Sequence, residues 1–204
     1  MRLASHNTFT YLTPRKWWGR LFAFTARCQR VDFDKQLDYG ATMFDLRVRF
    51  EDGPSGESLP YVCHGLIKYE GWFRVVYALQ LLNYLAQDPR IPRYVRVVLE
   101  TKRPTETDKE RFRTFCRNLQ ALHPNIVFFG GNDRSDWGCK NPVYDFGVPL
   151  PDIDEKHAST TALFPRFPRL DDLCPILYAR LFNHRDIEQG TTHDWLMIDF
   201  VDIQ

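Results

Sequence analysis

The sequence has no apolar run of bilayer-spanning length, no CxxC pair, almost no net charge and no internal repeat. Each absence removes a class of protein. A transmembrane helix needs about 20 consecutive apolar residues, so none is expected. Ser5-His6-Asn7 arrives before the apolar segment of a signal peptide could fit, so a cleaved leader is not expected either. The cysteines, Cys28, Cys63, Cys116, Cys139 and Cys174, are odd in number and widely spaced, which suggests neither a disulfide framework nor a zinc site. Buried reduced thiols, and with them a cytoplasmic location, are the expectation. A formal charge of +1 gives no case for nucleic acid as the partner.

What is present is ordinary in amount and unusual in arrangement. The 204 residues are 44% apolar and 26% charged, which fits one globular domain over 1–204 able to bury roughly 70% of its unfolded surface. Aromatics are plentiful, with 16 Phe, 9 Tyr and 5 Trp. The expected elements are a strand over 2–8, helices over 14–28 and 29–39, strands over 41–50 and 60–64, and a helix over 72–87. A strand over 94–102 follows, then a helix running from a Thr107–Glu110 capping box to about 122, and a strand over 125–129 ended by Gly130-Gly131. A strand over 142–148, a helix over 171–183 and a final strand over 194–201 complete the list. This order suits a small, irregular or incomplete parallel α/β barrel of the TIM type.

The stretch 40–65 organises the chain. Alternation on its first strand sends Asp45, Arg47 and Arg49 to one face and Phe44, Leu46, Val48 and Phe50 to the other. A polar strand face alone is usually a solvated one. Three further strand-like runs, however, end on polar groups: His6-Asn7, Glu100-Thr101-Lys102 and Asp199. Chemically active residues at the ends of several strands are what a barrel uses to build one site at its top. In 14–28, Trp17, Trp18, Phe22 and Phe24 are interleaved with Arg15, Lys16 and Arg20. That segment is either a core helix with a basic edge or an interfacial one whose rings enter a membrane surface.

Ser5-His6-Asn7-Thr8, Asp32-Phe33, Gln36-Leu37 with Gly40, Phe44-Asp45-Leu46-Arg47, His64-Gly65, Leu99-Glu100 and Asp199-Phe200 occur in an order that resembles the phosphatidylinositol-specific phospholipases C. The likeness is dense over 4–102 and returns at 195–201. It implies a distorted β/α barrel, attack of the inositol 2-hydroxyl on the phosphodiester, and release of diacylglycerol. It also implies His6 as general base, His64 as general acid and Asp199 as the carboxylate behind His6. Arg47 would stabilise the phosphoryl group, Asp45 would orient Arg47 or His64, and Asn7, Glu100 and Lys102 would contact substrate. Histidine suits both proton transfers because its pKa lies near neutrality.

The family exists in calcium-dependent and metal-independent forms. Asn7, Asp45 and Glu100 resemble the oxygen ligands of the first, and Arg47 the cation of the second. A guanidinium and a divalent ion repel each other in one pocket, so no metal cofactor is expected, with Ca²⁺ as the alternative. The expected partners are a phosphoinositide or other phosphodiester and a transient membrane surface, met by a monomer peripheral to the membrane. Two other readings keep the barrel: a diesterase for a different phospho- or glycerophosphodiester, and a non-catalytic lipid- or inositol-phosphate-binding module.

Overall fold

In a computed structural model the described residues are 2–136, 139–155 and 174–204. The strands are β1 (Arg2–Ser5), β2 (Ala41–Asp52), β3 (Ser58–His64), β4 (Ile67–Lys68), β5 (Tyr94–Leu99), β6 (Val127–Asp133), β7 (Asn141–Pro142), β8 (Ile153–Glu155) and β9 (Trp195–Ile198). The α-helices are α1 (Trp17–Leu21), α2 (Phe33–Asp38), α3 (Trp72–Leu85), α4 (Glu106–Leu122) and α5 (Pro175–Gln189). The sheet runs β7-β6-β5-β2-β1-β9-β8 and curls as an incomplete TIM-type barrel. Its central pairs, β6–β5, β5–β2, β2–β1, β1–β9 and β9–β8, are all parallel, so the C-terminal ends of these strands share one rim.

Alternation along the strands divides the core. Phe44, Leu46, Val48, Val95, Val97 and Leu99 face outward and pack with Val75, Leu79 and Leu82 of α3 and Phe112, Cys116 and Leu119 of α4. On the concave face, Ala4, Met43, Phe129, Trp195 and Met197 form an apolar floor. Two residues further along their chains stand His6, Asp45 and Asp199, with Arg47 two beyond Asp45. The period-2 alternation that fills the floor therefore lifts these polar groups to the rim above it.

Several expected boundaries shift. The 14–28 helix is one turn, Trp17–Leu21, followed by a 3₁₀ turn at Ala23–Thr25. The capping box of α4 is Thr105–Asp108, two residues before the expected one, which places Glu106 and Asp108 in the first turn at the positive end of the helix dipole. Gly130-Gly131 does not end β6. Both glycines have positive φ (88° and 74°), and the register slips there as the strand continues to Asp133. Over 142–148 only Pro142 is in a strand. The helix expected over 171–183 falls partly outside the described residues; α5 begins at Pro175 and continues to Gln189.

The largest departure from a wholly parallel reading is β3. It returns antiparallel to the outer half of β2, with Val48 opposite Val62 and Asp52 opposite Ser58. Val48 is also opposite Leu99 of β5, so β3 occupies the other edge of β2, the edge β1 leaves after Ser5. A hairpin thus brings His64 over the end of β1.

Candidate active site

His6 follows β1 and Asp199 follows β9, and each precedes a non-glycine residue with positive φ: Asn7 at 45° and Phe200 at 51°. Such conformations are strained for residues with a Cβ and need support from their surroundings. Here the support is dense. Asn7 N–H donates to Asp45 Oδ2 at 3.2 Å, Thr8 N–H to the Asp45 carbonyl at 3.0 Å, and Phe200 N–H to the Cys28 carbonyl at 2.6 Å. Gln29 spans both strand ends: its amide donates to the carbonyls of His6 and Ile198 and accepts from Val201 N–H. Gln36 does the same for the first loop through Ser5 Oγ and the Thr8 carbonyl. The segment 26–29 is therefore a strap fastened across the rim.

Geometry fixes the form of His6. Its Nε2 lies 2.8 Å from Arg47 Nη2, and a guanidinium can only donate, so Nε2 accepts. Nδ1 then carries the proton and donates to Asp199 Oδ1 at 2.7 Å. Neutral His6 is held with its lone pair turned into the site.

Arg47 links Asp45, Glu100 and His6. Nε meets Asp45 Oδ2 at 2.8 Å, Nη1 meets Glu100 Oε2 at 3.4 Å, and Nη2 meets His6. Glu100 also accepts from Gly65 N–H at 3.0 Å and pairs with Arg134. Burial alone would raise both carboxyls. Arg47 and Arg96 outweigh it at Asp45, joined by His6 when that ring is protonated, so Asp45 lies below its ordinary value; Arg47 and Arg134, joined by protonated His64, hold Glu100 down to about 2. Asp45 Oδ1 is buried with no hydrogen-bond partner among the described residues, an acceptor left over once Oδ2 has taken Arg47 and Asn7.

His64 ends β3. Its Nδ1 lies 2.9 Å from the Ala26 carbonyl, which can only accept, so Nδ1 is the protonated nitrogen of the neutral ring and Nε2 is the one that titrates. Burial lowers its pKa from 6.5; Glu100 opposes this and Arg47 adds to it. The His6 and His64 rings stand edge to face, 6.2 Å between centroids. Between them sits Cys28, which the residue pattern gave no reason to place here. Its Sγ is 3.8 Å from His64 Nδ1, takes a hydrogen bond from Asn7 Nδ2 at 3.6 Å, and donates to the Ala26 carbonyl at 3.9 Å. Burial, then Asp199, pushes this thiol well above its ordinary range.

The structure thus brings together His6, Asn7, Asp45, Arg47, His64, Glu100 and Asp199. Asp45 reaches Arg47, whereas the Nδ1 of His64 is held by Ala26. Lys102 is exposed on the turn after β5. Trp17 is 74% exposed, but Trp18 is half-buried against the core, so the rings do not form one outward face. His123 is buried at the end of α4, His184 pairs with Glu188, and His193 with Asp152. His157 lies outside the described residues.

No protein-family model and no curated protein matches the sequence. Solved structures match the fold. The phosphatidylinositol-specific phospholipase C of Listeria monocytogenes aligns over 99% of this chain and 89% of its own, at TM-score 0.55 and 14% identity. The Staphylococcus aureus phosphatidylinositol-specific phospholipase C aligns over 98% and 85%, at 0.51 and 15%. A double mutant of the S. aureus enzyme gives 0.53 at 15%. At this identity the likeness establishes the barrel fold.

Proposed function

We propose that the protein is a phosphodiesterase of the phospholipase C type, acting on a phosphatidylinositol-class lipid through general acid–base catalysis. The observation that carries this reading is the opposed histidine pair. His6 presents a lone pair at Nε2, backed by Asp199, and His64 presents its titrating Nε2, backed by a carbonyl. A base and an acid on two sides of one gap are what an internal displacement at phosphorus requires.

In that reading the inositol 2-hydroxyl passes its proton to His6 Nε2 as its oxygen bonds to phosphorus. The bond from phosphorus to the glycerol oxygen breaks, and that oxygen takes a proton from His64 Nε2. Asp199 stabilises the imidazolium formed on His6. Arg47 turns from His6 to the phosphoryl oxygens, where its charge counts most in the transition state. The products are diacylglycerol and a cyclic inositol phosphate. Asn7 Nδ2, 3.3 Å from His6 Nε2, is a donor beside the nitrogen that would take the hydroxyl proton.

The reaction is read as metal-independent. The oxygens that would hold Ca²⁺, on Asp45 and Glu100, are already bridged by Arg47, and a second cation there would meet an uncancelled guanidinium. Membrane contact is assigned to Trp17, Leu21, Phe22 and Phe24, all more than half exposed, beside Lys16 and Arg20.

Phosphorus NMR of phosphatidylinositol in detergent micelles tests the reading. A cyclic phosphodiester formed in EDTA is expected. Product only with added Ca²⁺ would overturn the role of Arg47. No product from the lipid but turnover of a soluble phosphodiester would move the substrate to another diester, and no turnover of either would leave a binding module.

A further inference from the structure

The Cys28 thiol is unused by the proposed chemistry, yet it stands among its proton-carrying groups. Cys28 Sγ, a His6 ring nitrogen and an Asp199 carboxylate oxygen lie within 4.8 Å of one another, and all three residues are buried. His64 Nδ1 lies 3.8 Å from the sulfur, but its proton goes to the Ala26 carbonyl, so the donor set is these three and the fourth position of a bound ion is left to water. Buried thiols usually touch apolar side chains; the immediate neighbours of this one are a carboxylate, two imidazoles and an amide.

We infer that Cys28, His6 and Asp199 form a latent site for a thiophilic divalent ion of the Zn²⁺ class, which on binding disarms the general base. The donor set is sulfur, nitrogen and oxygen, the combination that suits Zn²⁺ and discriminates against Mg²⁺ and Ca²⁺. Tetrahedral bonds of about 2.0 Å to nitrogen and oxygen and about 2.3 Å to sulfur require donor separations between the 2.7 Å of the His6–Asp199 pair and the 4.8 Å outer limit, so side-chain rotations suffice.

Binding exchanges protons for the ion. The thiol proton leaves to solvent as the sulfur–metal bond forms. His6 Nδ1 gives its lone pair while its proton moves to Nε2, and Asp199 gives a carboxylate oxygen. Arg47 Nη2 then faces an N–H and must withdraw, and its other nitrogens already meet Asp45 and Glu100. The consequence for the reaction is direct: Nε2, the nitrogen that would accept the hydroxyl proton, is itself protonated.

The metal site does not depend on the proposed reaction, whereas the inhibition does, and the test separates them. Reduced full-length protein is titrated with Co²⁺, then with Zn²⁺ in competition. One equivalent of Co²⁺ with a thiolate-to-cobalt charge-transfer band, displaced by Zn²⁺ and absent in Cys28→Ser, is expected; Cys139→Ser retains it. No band, or a band that survives Cys28→Ser, overturns the site. Should Cys28→Ser fail to fold, X-ray absorption of the Zn²⁺ form of the unaltered protein decides: one sulfur neighbour supports the site, and a shell of nitrogen and oxygen alone overturns it. Where the unaltered protein turns over a diester, one equivalent of Zn²⁺ must abolish turnover at least tenfold, and full activity of the Zn²⁺ form overturns the inhibition. An inactive protein that shows the band removes the proposed reaction and leaves the metal site standing.

Discussion

Arg47 reaches Asp45, Glu100 and His6 with three different nitrogens, and no other side chain type could do so. Arg47→Lys keeps the charge and loses the fork, so we expect kcat on phosphatidylinositol to fall by about 10²–10³, the usual cost of removing a fixed donor from a developing oxyanion. Steady-state assay beside a thermal melt separates this from unfolding. His64 sets the other limb. As the acid of the proposed reaction it must be protonated, so kcat/KM is expected to fall as pH rises through its pKa. Burial lowers that pKa, so the fall centres on the acid side of about 6.5. Glu100 is the carboxylate that opposes the lowering, so Glu100→Gln moves the limb further toward acid pH. A pH–rate profile that stays flat to pH 8 sinks the assignment. The two histidines were legible as residues because each ends a strand-like run. Cys28 was not, because a thiol in a loop resembles any buried thiol, and only the strap 26–29 places it between them.

At the level of elements, β6 turns on Gly131. A Cβ there would lie 2.0 Å from the Tyr144 carbonyl, at φ +74°. Neither the backbone conformation nor the space admits alanine, so Gly131→Ala should cost about 2–3 kcal/mol or more, read as a lower urea midpoint with an unchanged slope. The paired glycines predicted a strand end, since Gly in a strand pattern usually means a break. What wins is pairing on both sides: β5 and β7 hold the strand through its bulge to Asn132 and Asp133. The capping box shows the same limit. Two overlapping Thr-x-x-acid patterns, 105–108 and 107–110, are equivalent locally. The orientation of β3 was equally invisible, because alternation reports a face and not a direction. The floor and rim of the barrel, by contrast, were readable at 43–47, where a single alternating strand carries both layers.

For the molecule as a whole, the rim gathers opposite charges, and its stability is tied to pH through Glu100. Its carboxyl is held at about 2 when folded, against 4.5 when free, because Arg47, His64 and Arg134 outweigh the cost of burial. A depressed carboxyl stabilises the fold above the unfolded value, and that contribution is lost as pH falls through 4.5 toward 2. The size is about 3 kcal/mol, from the two pKa values and 1.36 kcal/mol per unit. Acid should therefore strike the rim before the outer core, whose contacts between strands and α3 or α4 are apolar. We expect the urea midpoint of the intact protein to drop steeply between pH 4.5 and 2. In Glu100→Gln it starts lower, since Arg47 and Arg134 lose their shared partner, and depends less on pH across that interval. Parallel curves for the two proteins would mean that Glu100 titrates normally in the fold, and that the cations gathered at the rim are not held there by its charge.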